Sequence, residues 1–206
     1  MKRLFTVLGL VVLMLAAALL AQPAATPEPG ESILEILQAA YGNEMIAYAR
    51  YTAFAVKADE EGYKGAASFF RAAAKAEHIH ADRFAAILKK KGGEPIAPTY
   101  EPDVKTTREN LLMSIDAERE ERDSVYLASI QRAKALGEKE VTQLFDLARN
   151  AETEHGNLCS IVNATLDDQK RPRTYHVCSH CGYTTDVKLA RCPSCMSAKS
   201  EMLSVK

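Results

Sequence analysis

The sequence has no surplus charge of either sign, no tryptophan and little cysteine, and the charge balance is the most excluding of these shortages. Lysine and arginine number 26 against 27 aspartates and glutamates, a net charge of −1 over 206 residues. There is thus no basic field of the kind that phosphate backbones select, and nucleic acid is not an expected partner. Acidic residues are absent before Glu28, where Lys2 and Arg3 lead an uncharged, apolar run from Leu4 to Ala21. That asymmetry is the pattern of an export signal. Neither a twin-arginine pair nor a cysteine near residue 21 accompanies it, which points to general secretion without a lipoprotein anchor. Residues 1–25 are therefore expected to be a signal peptide or, because the run is near bilayer-spanning length, an uncleaved N-terminal anchor. Either places the protein outside the cytoplasm, in the periplasm. Pro23, Pro27 and Pro29 mark the way out of the leader, and 26–31 is expected to be a linker.

What is present is strongly helical. With 47% hydrophobic and 26% charged residues, the chain can bury one main core and carry a small appendage. Ser32 to Glu35 forms a capping box, and Leu37, Ala40, Glu44, Ala47, Tyr51 and Phe54 follow at steps of three and four, predicting a helix to about Gly62. A second helix is predicted from about Ala66 to Lys91, carrying Phe70, Ala73, Glu77, His80 and Phe84 on one face and closing on lysines and Gly92-Gly93. Pro95, Pro98 and Pro102 force a long connection over 94–106. The cap Thr106 to Glu109 opens a third helix with Leu111, Ser114, Glu118, Glu121 and Val125 on one stripe. Gly137 turns into a fourth with Val141, Phe145, Ala148, Glu152, His155, Cys159 and Val162. Two helical hairpins joined by one long crossover make an all-α four-helix bundle, expected over 32–168.

The inward stripes carry the chemistry. Ionised carboxylates are rarely buried unless paired or bound to metal, yet Glu44, Glu77, Glu118, Glu121 and Glu152 all fall in register with apolar core positions. His80 and His155 each follow a Glu by three residues, which puts both side chains on one helical face. A single Glu-x-x-His pair is usually a solvated face; four in-register placements are not. One Glu from each of two helices plus Glu-x-x-His from each of the other two is a diiron-carboxylate pattern, and its oxygen and nitrogen donors suit iron or manganese, with zinc left open. By the same geometry His78, Glu120 and Glu154 belong to outer faces, and Cys159 reads as a small buried hydrophobe.

The tail supplies an independent signal. Cys178-Ser-His-Cys181 and Cys192-Pro-Ser-Cys195 have the spacing of a tetrahedral four-thiolate site for iron or zinc. In an exported protein, disulfides are the competing reading. The segment 169–206 is too short to build a useful core, so bound metal must supply much of its folding free energy.

Taken together, the motifs Asn43-Glu44-Met45 through Arg50-Tyr51, Glu77-His78-Ile79-His80, Glu118-Arg119-Glu120-Glu121, Glu152-Thr153-Glu154-His155 and the two cysteine knuckles resemble the rubrerythrins over about residues 32–206. In that family a ferritin-like diiron domain precedes a rubredoxin-like iron site, expected here as a small β domain. The resemblance implies that Glu44, Glu77, His80, Glu118, Glu121, Glu152 and His155 hold two irons, with Glu77 and Glu152 bridging. It implies that Glu121 and His80 exchange at one iron as the oxidation state changes, and that Tyr51 and Tyr126 hydrogen-bond to ligand carboxylates. Cys178, Cys181, Cys192 and Cys195 would hold a single iron, with zinc fitting the same thiolates. The implied activity is reduction of hydrogen peroxide to water with electrons relayed through the four-cysteine iron, in a homodimer whose relay sits near the neighbouring subunit's diiron site. An exported protein would need a donor other than the cytoplasmic one, and its identity is unknown. The sequence departs from the rubredoxin pattern at Met196, where the family favours Gly, and in a tail, Glu201 to Lys206, without an aromatic residue. Two other functions fit the residues: ferroxidase or iron storage, which leaves the cysteine domain idle, and a non-catalytic zinc-bound interaction protein, which leaves the Glu/His set idle.

Overall fold

A computed structural model describes residues 32–206, so the leader and the linker through Glu31 lie outside the described residues. Two helical hairpins form the body: α1 (Ile33–Glu60) with α2 (Lys64–Lys90), then α3 (Thr107–Glu120), a π-helical turn (Glu121–Val125) and α4 (Tyr126–Ala135), all opposite α5 (Lys139–Ala164). Both expected capping boxes are formed, at Ser32/Glu35 and Thr106/Glu109. At the second hairpin Gly137 takes a positive φ of 74°, a conformation that glycine adopts without the steric cost of a Cβ. Between the hairpins, residues 91–106 run without regular structure. The crossover is tied down where Gln38 accepts from Ile96 N at 3.1 Å and donates to Ile96 O at 2.8 Å.

The expected third helix is interrupted. From Glu121 to Val125 the backbone adopts the wider i to i+5 pattern, a type of bulge that inserts an extra residue and re-aims the side chains after it. With that shift Glu118, Glu121, Val125 and Tyr126 are all buried.

The core is layered along the bundle. Phe54, Phe69, Phe70, Leu158 and Val162 belong to one apolar cluster, and Phe84, Phe145, Leu37, Ile130 and Val141 to another. The buried Glu and His residues lie at intervening positions of the same helices. Among the described residues no helix is long and apolar enough to cross a membrane.

After α5 a short 3-10 turn (Leu166–Asp168) leads to three antiparallel strands in the order β2-β1-β3, with β1 Tyr175–Cys178, β2 Thr184–Thr185 and β3 Met202–Val205. This small sheet is fastened to the bundle by its own chain. Gly65 N donates to Gln169 O at 2.9 Å, Arg173 N donates to Ser68 Oγ at 3.2 Å and Arg71 Nε donates to Lys206 O at 2.6 Å. Tyr175 meets Phe69 edge to face with ring centroids 5.8 Å apart.

Candidate metal centres

Seven ionisable side chains are buried in the middle of the bundle: Glu44 from α1, Glu77 and His80 from α2, Glu118 from α3, Glu121 from the π turn, and Glu152 and His155 from α5. Their donor atoms form two groups. Glu44, Glu77, His80 and Glu152 make one, and Glu77, Glu118, Glu152 and His155 the other, with all atoms of each group within 4.8 Å of one another. Glu77 and Glu152 belong to both, which is the geometry required of bridging carboxylates between two ions. Glu121 is buried beside these groups but belongs to neither.

His80 Nδ1 lies 3.1 Å from Glu77 Oε2 in a hydrogen bond, but most donors of the cage lack such a partner. Glu152 Oε2 lies 2.7 Å from His155 Nδ1, yet neither atom has a hydrogen-bond partner, and the same is true of Glu44 Oε2, Glu77 Oε1 and Glu118 Oε2. Orphaned buried oxygens cost several kcal/mol each when charged. A pair of divalent or trivalent cations satisfies all of them, so the residues fit a dinuclear metal site.

Charge regulation in the metal-free cage agrees. Burial pushes the Glu44, Glu118 and Glu121 carboxyls well above the usual carboxylate range, with neighbouring carboxylates adding to the shift. Burial would also raise Glu77, but the His155 and His80 rings outweigh it and hold that carboxyl low. Burial alone would lower His80 and His155; the Glu152 and Glu44 carboxylates beside the one, and Glu77 and Glu152 beside the other, drive both rings well above 6.5. Without metal the cage favours bound protons, and metal must displace them.

Two phenols orient the outer carboxylates. Tyr51 of α1 donates to Glu118 of α3, and Tyr126 of α4 donates to Glu44 of α1. Each bond ties one hairpin to the other, and each leaves the second oxygen of its carboxylate for a metal. Cys159 is buried and donates weakly to Leu111 O at 3.3 Å. His78 pairs with Asp82 at 3.2 Å on the outer face.

In the tail the four Sγ atoms of Cys178, Cys181, Cys192 and Cys195 lie within 4.8 Å of one another. Cys178 and Cys195 are 3.6 Å apart, and Cys181 and Cys192 3.5 Å. These are edges of a tetrahedron with bonds of about 2.3 Å to a central ion, well beyond the roughly 2.05 Å of a disulfide, and all five cysteines are free. Hydrogen bonds from Cys181, from Ser197 and from backbone N–H groups overcome burial and push the Cys178 thiol down to about 4, which gives the site a ready thiolate. Met196 turns the second knuckle at φ 64°, the left-handed region that explains the family's preference for Gly there.

The two centres touch within one chain, whereas the resemblance implied a relay near the neighbouring subunit's diiron site. His80 Nε2 lies 3.0 Å from Cys181 O, while His155 Nε2 lies 3.1 Å from Thr184 Oγ1 and 3.4 Å from Gly182 O. Gly182 is required twice over: its φ is 75° and a Cβ there would collide with the His80 ring. Arg83 donates to His180 O next to the same knuckle. Sequence reasoning missed Thr184, Arg71, Arg83 and the close approach at Gly182; that glycine's place immediately after the second cysteine is the one signal that could have found the approach.

Comparison with known proteins agrees with this architecture. The sequence model of the family described as Rubrerythrin matches residues 35–160. The chain is 32% identical over 174 residues to nigerythrin from Nitratidesulfovibrio vulgaris, covering 82% of this chain and 84% of that one. It is 32% identical over 162 residues to rubrerythrin from Porphyromonas gingivalis, covering 76% and 81%. The mixed-valence structure of nigerythrin superposes with a TM-score of 0.81 at 30% identity, covering 88% of this chain and 90% of that one. A Desulfovibrio desulfuricans bacterioferritin shares the fold of the helical body, with a TM-score of 0.59 at 22% identity over 67% of this chain and 81% of that one. The protein therefore belongs to the rubrerythrin family, with a ferritin-like body that carries a diiron-type carboxylate site and a rubredoxin-like four-cysteine cluster at its C-terminal end.

Proposed function

We propose that this chain reduces hydrogen peroxide to water, taking two electrons and two protons per peroxide, with the four-cysteine site returning electrons one at a time. The observation that carries this reading is the contact between His80 and Cys181 O, which leaves a ligand imidazole and a relay cysteine in one hydrogen-bonded chain. Two ferrous ions held side by side would supply both electrons together and so avoid releasing a hydroxyl radical.

The protein's own groups have defined tasks in this reading. Glu77 and Glu152 would bridge, and Glu44 and Glu118 would complete the two ends under the direction of Tyr126 and Tyr51. Glu121 stands outside both donor groups and would exchange with His80 as the site changes oxidation state. The aromatic clusters above and below keep bulk water from the cage. Iron storage gives no role to a relay seated on the cage, and a purely structural zinc protein gives none to the orphaned carboxylates.

The chain would work outside the cytoplasm, as a homodimer drawing electrons from a donor still to be identified. The leader motivates the export reading. N-terminal mass analysis of the protein in its own host tests it, and an intact Met1 in the cytoplasm would end it.

Activity is tested by loading the purified chain with iron without oxygen, reducing it, and adding peroxide while following the visible bands of the ferric four-thiolate site. Stoichiometric peroxide loss with reoxidation of both centres is expected. A colourless protein holding only one zinc per chain would sink the proposal. Glu77→Gln and Glu152→Gln should each slow turnover on the order of a hundredfold or more, and unchanged turnover is incompatible with their assigned roles.

A further inference from the structure

The relay's contact with His155 differs in kind from its contact with His80, because it includes a side chain. Thr184 is fully buried in β2. A strand at that place would accept a valine equally well, and a buried hydroxyl is unfavourable unless it is hydrogen-bonded. Thr184 Oγ1 lies 3.0 Å from Gly182 O and 3.1 Å from His155 Nε2. A hydroxyl has one proton to give. A carbonyl can only accept, so that proton goes to Gly182 O, and Thr184 must accept from His155 Nε2–H. The proton of the metal-bound ring is then confined to Nε2, and Nδ1 faces Glu77 at 3.3 Å, Glu152 at 2.7 Å and Glu118 at 4.0 Å.

We infer that Thr184 is a positioning residue for the diiron site: it holds the His155 ring with Nδ1 toward the metal, so that the four-cysteine domain helps to build the centre it serves. Without the hydroxyl, His155 Nε2–H retains only Gly182 O at 3.4 Å, inside a site where His155 is wholly shielded from water. Outer partners of ligand histidines of this kind set ring orientation and basicity, and losing one weakens metal affinity by about 10- to 100-fold.

The inference rests on His155 as a metal ligand but not on peroxide reduction, so its test uses the full chain loaded with zinc, which is redox-inert and diamagnetic. NMR follows the exchange of the His155 and His80 Nε2 protons with water, and competition with a chelator measures zinc affinity at the carboxylate site. In Thr184→Val the His155 proton should exchange at least about tenfold faster and the affinity fall about tenfold. The His80 proton should stay protected by Cys181 O, and Thr184→Ser should restore both quantities. If Thr184→Val leaves the His155 proton and the affinity unchanged, the assignment is overturned. Loss of protection at both histidines together also overturns it, because Thr184 would then serve only to seat the relay. Failure of the iron-loaded chain to reduce peroxide would leave the zinc result standing.

Discussion

The helical body and the cysteine tail solve opposite problems. The body buries Tyr51, Phe54, Phe69, Phe70, Phe84, Tyr126 and Phe145 completely. At about 1.5–3 kcal/mol for each large apolar side chain, it can carry a layer of carboxylates that is costly without metal. From Arg173 onward, the tail's buried apolar side chains other than cysteine are Tyr175 and Val177, and both join the apolar cluster of the body. Its remaining core is sulfur, with Tyr183 and Met202 of the tail and Leu147 of α5 packed around it. Metal therefore costs the body little structure when it leaves, while the tail depends on it. Met202 stands against the sulfurs in a segment that has no aromatic residue.

Removing metal tests that contrast most severely. Chelation at neutral pH should abolish amide-exchange protection over 175–205 while the helical circular dichroism stays near its loaded value, since bound metal supplies much of the folding free energy of such small domains. Loss of both together would show that the two regions form one cooperative unit.

The seam between the regions comes next. Gly182→Ala forces a residue with a Cβ to a positive φ and against His80, a strain of about 1–3 kcal/mol before the clash is counted. The tail should still bind one metal, but re-reduction of the bundle site through it should slow by about tenfold or more. Stopped-flow absorbance at the ferric-thiolate bands reads this directly, and an unchanged rate would mean that the seam is not the electron path.

Proton regulation separates the loaded from the stripped body. The raised carboxyls Glu44, Glu118 and Glu121, and the raised rings His80 and His155, bind protons more tightly folded than unfolded. Their contribution is complete below the unfolded values, 4.5 for Glu and 6.5 for His, and is lost as pH rises through the folded ones. Glu77 and Glu152 are lowered and act oppositely, losing their contribution as pH falls below 4.5. The metal-free bundle should thus weaken as pH climbs above 4.5 through the three carboxyls, and further above 6.5 through the two rings, whereas metal affinity should strengthen because fewer protons need displacing. Urea midpoints across pH with and without metal should move in opposite directions, and parallel movement would contradict competition between protons and metal in the cage.

The smallest expected effect is local to the tail. Met196→Gly relieves a left-handed φ of 64° and should stabilise the metal-loaded tail by about 1 kcal/mol, read as a raised threshold for metal release on denaturation. The body should not respond.

Much of this was legible before any fold was known. The capping boxes, the proline-rich crossover and the inward stripe Glu152, His155, Cys159 and Val162 follow from helical periodicity, which keeps residues three and four apart on one face. The cysteine knuckles follow from local spacing in the same way. The π turn at Glu121 was not legible, because Glu118 and Glu121 at a spacing of three read as an ordinary helical pair. Nor was the separation of Glu121 from both donor groups, which depends on where the widened turn aims its carboxylate. Thr184 carried no signal at all: a threonine in a short strand is ordinary until a buried histidine from a helix comes to rest against it.

The sequence by itself determined which side chains face inward on each helix and which four sulfurs can share an ion, since both follow from interactions a few residues apart. Tertiary structure alone decided that Glu77 and Glu152 stand between two donor groups, that two tyrosines cross from one hairpin to the other, and that the cysteine knuckle rests on both buried histidines of its own chain. Those relations join residues as much as a hundred positions apart, and they depend on how helices pack and on where a backbone without a Cβ can come close.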